Sequence, residues 1–577
     1  SAVMQQVRAL PRCCHGRAAK RCGAGIRTLR AERSHLVVTN HAFVLARPEF
    51  FSHILFDECD HLHDVALSAR SFDIDLHEVG ELSKKLLSSR GRDRAPLERL
   101  QRLLEKLPAG DRSEDLLQQA QTAKEGAQKL DAAAHECTRE LKHFQTWRNE
   151  KTGTCTAEER AFLLHEYLEI GVGDGLATAL HYLRQVIDTT DSALRCCIEE
   201  LGDLTYKTAR QLRWSLRRPL EDLAHWREGL DQWLHDEGSE EEGLSHDLLG
   251  LVEFGNRRPL LILKCLLPQK WLGETYIPSL RNAGFISATA QLRGGFKAMK
   301  GYLGLDIAEE ESLDRPGREV QEFVGPPTFD PKAALVAIPE DAPAYAHTGG
   351  DHEIWMDYLE DCFVYLTERT RGRTLGLFTN QKVLQRVGQR MAPRFQALGI
   401  PFYWQGMPGF RKEDLLRRFH AQTDSVLFGV DTFWYGVDFP GETCEHVVIT
   451  KLPFAALDDY HFGQTARMGF GPQKNRIYLP RALAMFRQGC GRLIRQESDR
   501  GSILILDRRV LEKRHADFLK ELPGGLNEWE GPNLLKSDSD TCFQKIFAHM
   551  KLGKELERRG LDQSFSHARR KVSTEPF

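Results

Sequence analysis

Residues 488–495 read Gln-Gly-Cys-Gly-Arg-Leu-Ile-Arg. Gln488, Arg492 and Arg495 sit at spacings of four and three, which on a helix place all three polar heads on one face. The spacing predicts a helix start near Arg492, with Gln488 one turn earlier. Guanidinium groups are always charged and their planar fork matches phosphate oxygens. Presented to a nucleotide, they stabilise charge that develops as the γ-phosphate is transferred. Taken alone, the octet also reads as a solvated cationic helix end. A second pair, Asp57-Glu58, ends the apolar run "ILF" in "ILFDECDHLHDVA" (54–66). Side chains there emerge at the carboxyl edge of a sheet, where open α/β sheets bind ligands. One carboxylate can hold Mg²⁺ through water and its neighbour can polarise an attacking water. The same pair equally suits a helix N-cap Asp followed by a dipole-facing Glu.

The elements that must position these groups are short and apolar. Residues 36–40, 54–58 and 284–288 read as buried parallel strands of a first α/β lobe, and 374–379, 425–430, 445–450 and 502–507 as those of a second. Strands alternating with helices give parallel sheets covered on both faces. Between the first strands the pattern changes. Leu116, Ala120, Ala123, Ala127, Leu130, Ala134, Cys137, Leu141 and Phe144 follow a four-three alternation, a coiled-coil seam running roughly 40 Å at 1.5 Å per residue. Leu176, Leu180, Leu183, Ile187, Thr190, Leu194, Cys197 and Leu201 repeat the rule. A looser run uses Leu212, Leu216, Leu223, Trp226, Leu230 and Trp233, with a kink expected at Pro219. The expectation is three antiparallel helices inserted into the first lobe. "HDEGSEEEG" (235–243) reads as an exposed acidic turn that closes the insertion, and Pro/Gly-rich 315–334 as a linker.

With 577 residues, 41% hydrophobic and 28% charged, the chain fits three or four soluble globular domains. A net charge of −3 means that any nucleic-acid binding must come from local basic surface. No run of eighteen apolar residues suggests a membrane span. Thirteen cysteines without a paired pattern suit a reducing cytoplasm.

Taken in order, "ILFDECDHLHDVA" (54–66), "GFISAT" (284–289), "TLGLFTN" (374–380), "SVLFGVDTFWYGVDFPGETCEHVVITKLPF" (425–454) and the octet resemble motifs II to VI of a superfamily 2 helicase. The phrases "VVTNHAFVL" (37–45), "FWYGVDFPGE" (433–442) and "VVITKLPF" (447–454) resemble the DinG branch of the XPD-like helicases. The resemblance implies an α/β fold with two RecA-like parallel-sheet lobes and a helical arch between motifs II and III. The domains expected are an iron–sulfur remnant (1–35), a first lobe (36–66 and 255–314), the arch (67–254), the linker (315–334), a second lobe (335–540) and a basic tail (541–577). It further implies ATP and Mg²⁺, with Asp57 on the magnesium side and Glu58 as catalytic base. Ser287 and Thr289 would couple hydrolysis to movement. Gly436 and Asp438 would face the cleft between the lobes. Gln488, Arg492 and Arg495 would touch the nucleotide, the two arginines as fingers. The implied activity is 5′ to 3′ translocation on single-stranded or forked DNA in repair or replication.

Several features depart from that pattern. A motor of this kind needs a phosphate cradle, G-x-x-x-x-G-K-[ST], yet the chain contains no Gly-Lys-Ser or Gly-Lys-Thr. The expectation is a chain that begins after the cradle and hydrolyses ATP poorly as it stands. Tyr435 occupies the place of a usual acidic residue before Gly436, Asp60 that of a usual histidine, and Cys59 that of an alanine. Cys13, Cys14 and Cys22 match ligands of the family's [4Fe–4S] cluster, three of the four thiolates such a cluster takes; the alternative is a degenerate, metal-free version. Phe433 and Trp434 suit either base stacking or core packing. Arg210, Arg213, Arg217 and Arg218, a set from Arg12 to Arg30, and the tail from Lys545 to Lys571 are candidate phosphate contacts. Two rival expectations are a non-hydrolysing single-stranded-DNA clamp descended from such a motor, and a CRISPR-associated DinG.

Overall fold

The computed structural model describes residues 34–89, 95–106, 111–200, 207–234, 247–255, 258–311, 316–325, 329–346, 349–437, 439, 441–524 and 533–566. Cys13, Cys14, Cys22, the amino-terminal basic set, Asp438, the acidic turn at 235–243 and the end of the basic tail lie outside the described residues. The chain forms two compact units. One comprises Ser1–Ile54, His61–Asn282 and Leu457–Phe470; the other comprises Leu55–Asp60, Ala283–Ala456 and Gly471–Phe577.

Strand β1 (His53–Asp57) ends in the Asp57-Glu58 pair. In the first unit, β2 (Phe72–Asp75), β3 (Leu248–Glu253) and β4 (Leu260–Cys265) form an antiparallel sheet in the order β2-β4-β3. Leu260–Cys265, expected in the first lobe, therefore pairs with strands that flank the helical stretch. Helices that share this sheet's hydrophobic core include α1 (Leu76–Leu87), α2 (Pro96–Leu104), α3 (Asp111–Lys151), α4 (Asp174–Glu200) and α5 (Lys207–Trp233).

The four-three seam is the buried face of α3. Every residue from Leu116 to Phe144 named for it is at most 4% exposed. The helix has 41 residues and so runs about 60 Å, longer than the seam alone indicates. Its small residues let α4 approach closely: a Cβ at Gly126 would lie 2.2 Å from Thr190 Oγ1. The thiols of Cys137 and Cys197 donate to the carbonyls of Ala179 and Leu116, so residue numbers rise on one helix as they fall on the other and the pair is antiparallel. Helix α5 returns antiparallel to α4, tied by Arg184–Asp231 and by Arg227 to the fully buried Asp191. It runs without interruption through Pro219. A helix over Asp459–Met468 completes the unit. Tyr460 Oη donates to Cys265 O at 2.9 Å and Gln464 Nε2 to Leu266 O at 3.0 Å.

The second unit begins where β1 pairs with β5 (Asn282–Ile286). Phe56 stacks on Phe285 at 5.3 Å. These strands are not buried as expected: Leu55 is 65% and Ile286 51% exposed. Among the described residues these two strands form a sheet of their own. Residues 36–40 form no strand. Leu36 and Val38 are 81% and 92% exposed, and Asn40 accepts from Phe43 N to cap a short helix, which turns the chain away from extension.

Seven strands form the second unit's main sheet: β6 (Ala334–Pro339), β7 (Thr374–Leu377), β8 (Phe402–Trp404), β9 (Val426–Gly429), β10 (His446–Ile449), β11 (Gly501–Ile505) and β12 (Leu534–Ser537). Their order is β12-β6-β11-β10-β7-β9-β8 and every pairing is parallel. β6, β7, β9, β10 and β11 are buried along their whole length, which is why they read as continuous apolar runs. Helices α6 (Gly350–Thr370) and α7 (Gln381–Leu398) pack on the sheet, and α8 (Leu479–Cys490) carries the start of the octet.

One polar side chain in this sheet gives a pH test. His446 is fully buried, its Nδ1 sits 2.8 Å from Ser502 Oγ, and burial pushes its pKa down to about 3. The folded state holds this imidazole neutral while the unfolded chain protonates it near pH 6.5. Its contribution to stability is therefore complete above that value and lost as pH falls toward 3. Urea unfolding of His446→Gln is expected to show a flatter decline between pH 6.5 and 4 than the unsubstituted chain; parallel curves would contradict this.

Candidate functional site

The Asp57-Glu58 pair is presented by a sharp turn. Asp57 closes β1, and its Oδ1 accepts from Glu58 N at 3.1 Å. Glu58 has φ 51°, a left-handed conformation that costs a non-glycine residue about 1–3 kcal/mol. The turn leaves both carboxylates exposed and folds Cys59 and Asp60 inward. Cys59 is completely buried, and burial lifts its thiol pKa to about 12. Its thiol is inert packing there.

Asp60 is 7% exposed and accepts from Ser287 Oγ at 2.7 Å. Ser287, just past β5, lies 2.8 Å from Thr289 Oγ1 and accepts from Thr289 N at 3.0 Å. The two hydroxyls form a compact relay against the buried acid.

The octet reaches the same place from α8. It does not start a helix: Gln488, Gly489 and Cys490 are the last turn of α8, and Arg492 and Arg495 follow the helix end. Pro480 at the helix's beginning and two glycines at its end set that polarity. Gly489 has a packing reason, because a Cβ there would lie 2.6 Å from the Trp434 ring. Gln488 is 8% exposed, and its Nε2 lies 3.5 Å from both Glu58 Oε2 and Asp60 Oδ2. Its Oε1 accepts from Arg492 Nη2 at 3.2 Å. Carboxylates only accept and guanidinium only donates, so the amide has one consistent orientation.

Arg492 is 5% exposed and turned inward. Its Nε donates to Trp434 O at 3.0 Å and its Nη1 to Val437 O. It thereby fixes the loop that carries Gly436, whose φ is 70°. Trp434 and Phe433 are fully buried, with Trp434 Nε1 donating to Phe378 O at 2.8 Å, so both are core residues rather than stacking surfaces. Arg495 is half-buried; Asp499 Oδ2 accepts from Arg495 N at 2.8 Å and from Gln496 N at 2.9 Å and so closes its loop.

The residue just before the octet carries no signal in the sequence but matters in the structure. Arg487 donates to the carbonyls of Ala288 and Gln291, beside Ser287 and Thr289, and pairs with the fully buried Glu521 at 3.0 Å. Burial raises the Glu521 pKa, and Arg487 opposes that shift. Glu521 also accepts from Arg293 N at 2.6 Å. Among 79 lysines and arginines, nothing in the sequence sets this one apart.

The structure thus brings Glu58, Asp60, Ser287, Thr289, Gln488 and Arg492 into one hydrogen-bonded cluster, with Asp57 exposed at its mouth. Chemically, it offers oxygen donors that suit a hard divalent cation, and a path from carboxylate through amide to guanidinium. Among the described residues, no group of three or more His, Cys, Asp or Glu side chains is placed to hold a metal ion. Among them too, no helix is long and apolar enough to cross a membrane.

Residues 363–525 match the family described as a helicase C-terminal domain. The 3'-5' exonuclease DinG of Bacillus subtilis (strain 168) is 30% identical over 267 residues, 45% of this chain and 27% of that protein. The ATP-dependent DNA helicase YoaA of Haemophilus influenzae is 28% identical over 243 residues, 41% of this chain and 35% of that protein. The ATP-dependent helicase DinG of Mycobacterium tuberculosis is 29% identical over 266 residues, 45% of this chain and 36% of that protein. The matched stretch is thus about a third of the length of these curated relatives. Among solved structures, an XPD helicase aligns with 84% of this chain and 68% of its own, at TM-score 0.38 and 15% identity.

The buried Arg487–Glu521 pair yields a stability prediction. Arg487→Met leaves a buried carboxylate without its cation and is expected to destabilise the fold by about 3–5 kcal/mol in urea unfolding. Adding Glu521→Leu is expected to restore most of the loss. Equal stabilities for the single and double variants would show that the pair does not hold the segment around Gln291.

Proposed function

We propose, from the premise that this chain is a DinG-like helicase, that it forms the moving and sensing part of an ATP-driven motor on single-stranded DNA, with 5′ to 3′ polarity and a role in DNA repair or replication. The observation that carries this reading is the link Glu58–Gln488–Arg492. It joins the carboxylates after β1 to the arginines after α8 through one amide. Asp57 would hold Mg²⁺, which would supply charge to the phosphates, and Glu58 would polarise the attacking water. Arg495 would supply positive charge to the departing phosphate, while Arg492, held inward by two carbonyls, would act through the Gln488 amide. Ser287 and Thr289, hydrogen-bonded to Asp60, relay the state of the carboxylates to the strand-binding surface. Arg492, which holds the carbonyls of Trp434 and Val437, couples any movement of Gln488 to the loop of Gly436. Bound Mg²⁺–ATP would supply the phosphoryl group and the charge that these residues answer. Cys13, Cys14 and Cys22 remain candidate ligands of a [4Fe–4S] cluster.

A second reading is favoured by one residue-level fact: Tyr435 stands where the resemblance leads one to expect a carboxylate. A tyrosine is neutral at physiological pH and cannot substitute for an anion. On that reading the protein is a single-stranded-DNA clamp that binds without turnover.

One experiment separates them. In a polypeptide that joins this chain to a phosphate cradle, Glu58→Gln and Arg495→Ala are each expected to lower DNA-stimulated ATP turnover by about 10³-fold, with DNA affinity unchanged. The 577-residue chain alone is expected to show almost none. Turnover by the chain alone that Glu58→Gln leaves intact would overturn the assignment of the site, and lack of turnover in the joined polypeptide would favour the clamp.

A further inference from the structure

Helix α5 breaks two local rules in its first three turns. Its buried stripe is ordinary: Ala209, Leu212, Leu216, Leu220 and Leu223 are at most 5% exposed. On the opposite face Trp214 is 66% exposed, a large aromatic left in water. Arg210 stands four residues before it and Arg218 four after, both exposed. That spacing lines the three side chains along one face, with neighbouring Cβ atoms about 5–6 Å apart. Arg213 and Arg217 flank the same ridge.

The charges are segregated along the helix. From Lys207 to Arg218 the sequence holds five cations and no acid, and acids begin only at Glu221 and Asp222. The first turn contains no acidic residue. Arg210 therefore sets positive charge in the first turn, against the positive end of the helix dipole, an arrangement that weakens the helix. Stability alone would call for the reverse order. Arg217 is held by Glu221 at 2.9 Å, but Arg218 approaches Asp222 only to 3.9 Å while 74% exposed, too loose a pair to neutralise it. Local rules broken together, with no gain in packing or helix energy, mark a surface shaped by what it binds.

We propose that this face of α5 binds single-stranded nucleic acid, with one unpaired base stacked on Trp214 and phosphates lying on Arg210 and Arg218. The charge identifies a polyanion. The exposed indole identifies unpaired bases, because every base has a π-face to offer and a duplex keeps those faces stacked internally. The surface lies within the first unit, uses no nucleotide and shares no residue with the Glu58–Gln488 cluster. It deepens the DNA reading above by naming the binding surface, and it can fail independently of the motor chemistry.

The test is equilibrium binding of a fluorescent oligothymidylate to the 577-residue chain without ATP, over a range of salt concentrations. Trp214→Ala is expected to weaken binding about tenfold, while Trp214→Phe, which keeps an aromatic face, retains most of the affinity. Arg210→Gln with Arg218→Gln is expected to lower the slope of log K against log salt by about 1.4, or about 0.7 for each phosphate that is no longer neutralised. All three positions are exposed, so unfolding midpoints are expected to stay unchanged. The proposal is overturned if Trp214→Ala binds oligothymidylate as well as the unsubstituted chain. It is equally overturned if the same substitution weakens binding of blunt duplex DNA or polyglutamate to the same degree, since the surface would then read charge alone.

Discussion

Everything in the second unit's polar cluster depends on one primary amide. Gln488 has an acceptor and a donor on the same planar group, and it uses both: the donor faces two carboxylates and the acceptor faces a guanidinium. No charged side chain could take its place. A lysine or arginine would satisfy Glu58 and Asp60 but repel Arg492, and a glutamate would do the opposite. The distances also carry information. The amide lies 3.5 Å from each carboxylate oxygen, long for a hydrogen bond, so it is shared between Glu58 and Asp60 rather than locked to either. A long, shared bond shifts at little energetic penalty.

The elements around the amide are rigid where it is soft. Asp60 is pinned by Ser287 at 2.7 Å. Arg492 is fastened to two backbone carbonyls, and Trp434, which supplies one of them, is itself anchored to Phe378 O. Arg487 and the buried Glu521 fasten α8 to the segment after β5. Strain is stored at the left-handed Glu58, whose carboxylate is exposed at the strand end. The exposed carboxylates of the cluster are Asp57 and Glu58.

How much of this the sequence disclosed follows from burial. β7, β9, β10 and β11 are covered on both faces, so their residues are continuously apolar and legible as strands. The α3 seam is legible because a helix packed along its full length repeats the same spacing for many turns. Residues 36–40 have a similar composition but form no strand, since Asn40 starts a helix instead of a pairing. β2 is hidden because it has only four residues and its pairing partner, β4, lies far along the chain. The structure brings Gln488 and Arg492 of the octet beside Glu58 and Asp60, but the octet's position at a helix end rather than a start is hidden in the sequence, because the preceding residues carry no distinct signal. Asp60, which the sequence marks only as a departure from an expected histidine, accepts from Ser287 and faces the Gln488 amide. Arg487 is invisible in the sequence because its meaning rests on Glu521, which belongs to a later segment.

The most direct measurement of the central claim is a double-mutant cycle between Asp60→Asn and Gln488→Leu, read by urea unfolding. If the amide bridges the carboxylates to Arg492, the two substitutions interact, with a coupling free energy of at least about 0.5 kcal/mol. If their effects simply add, the two side chains do not communicate, and the account of a single cluster joining the strand-end acids to the octet is wrong.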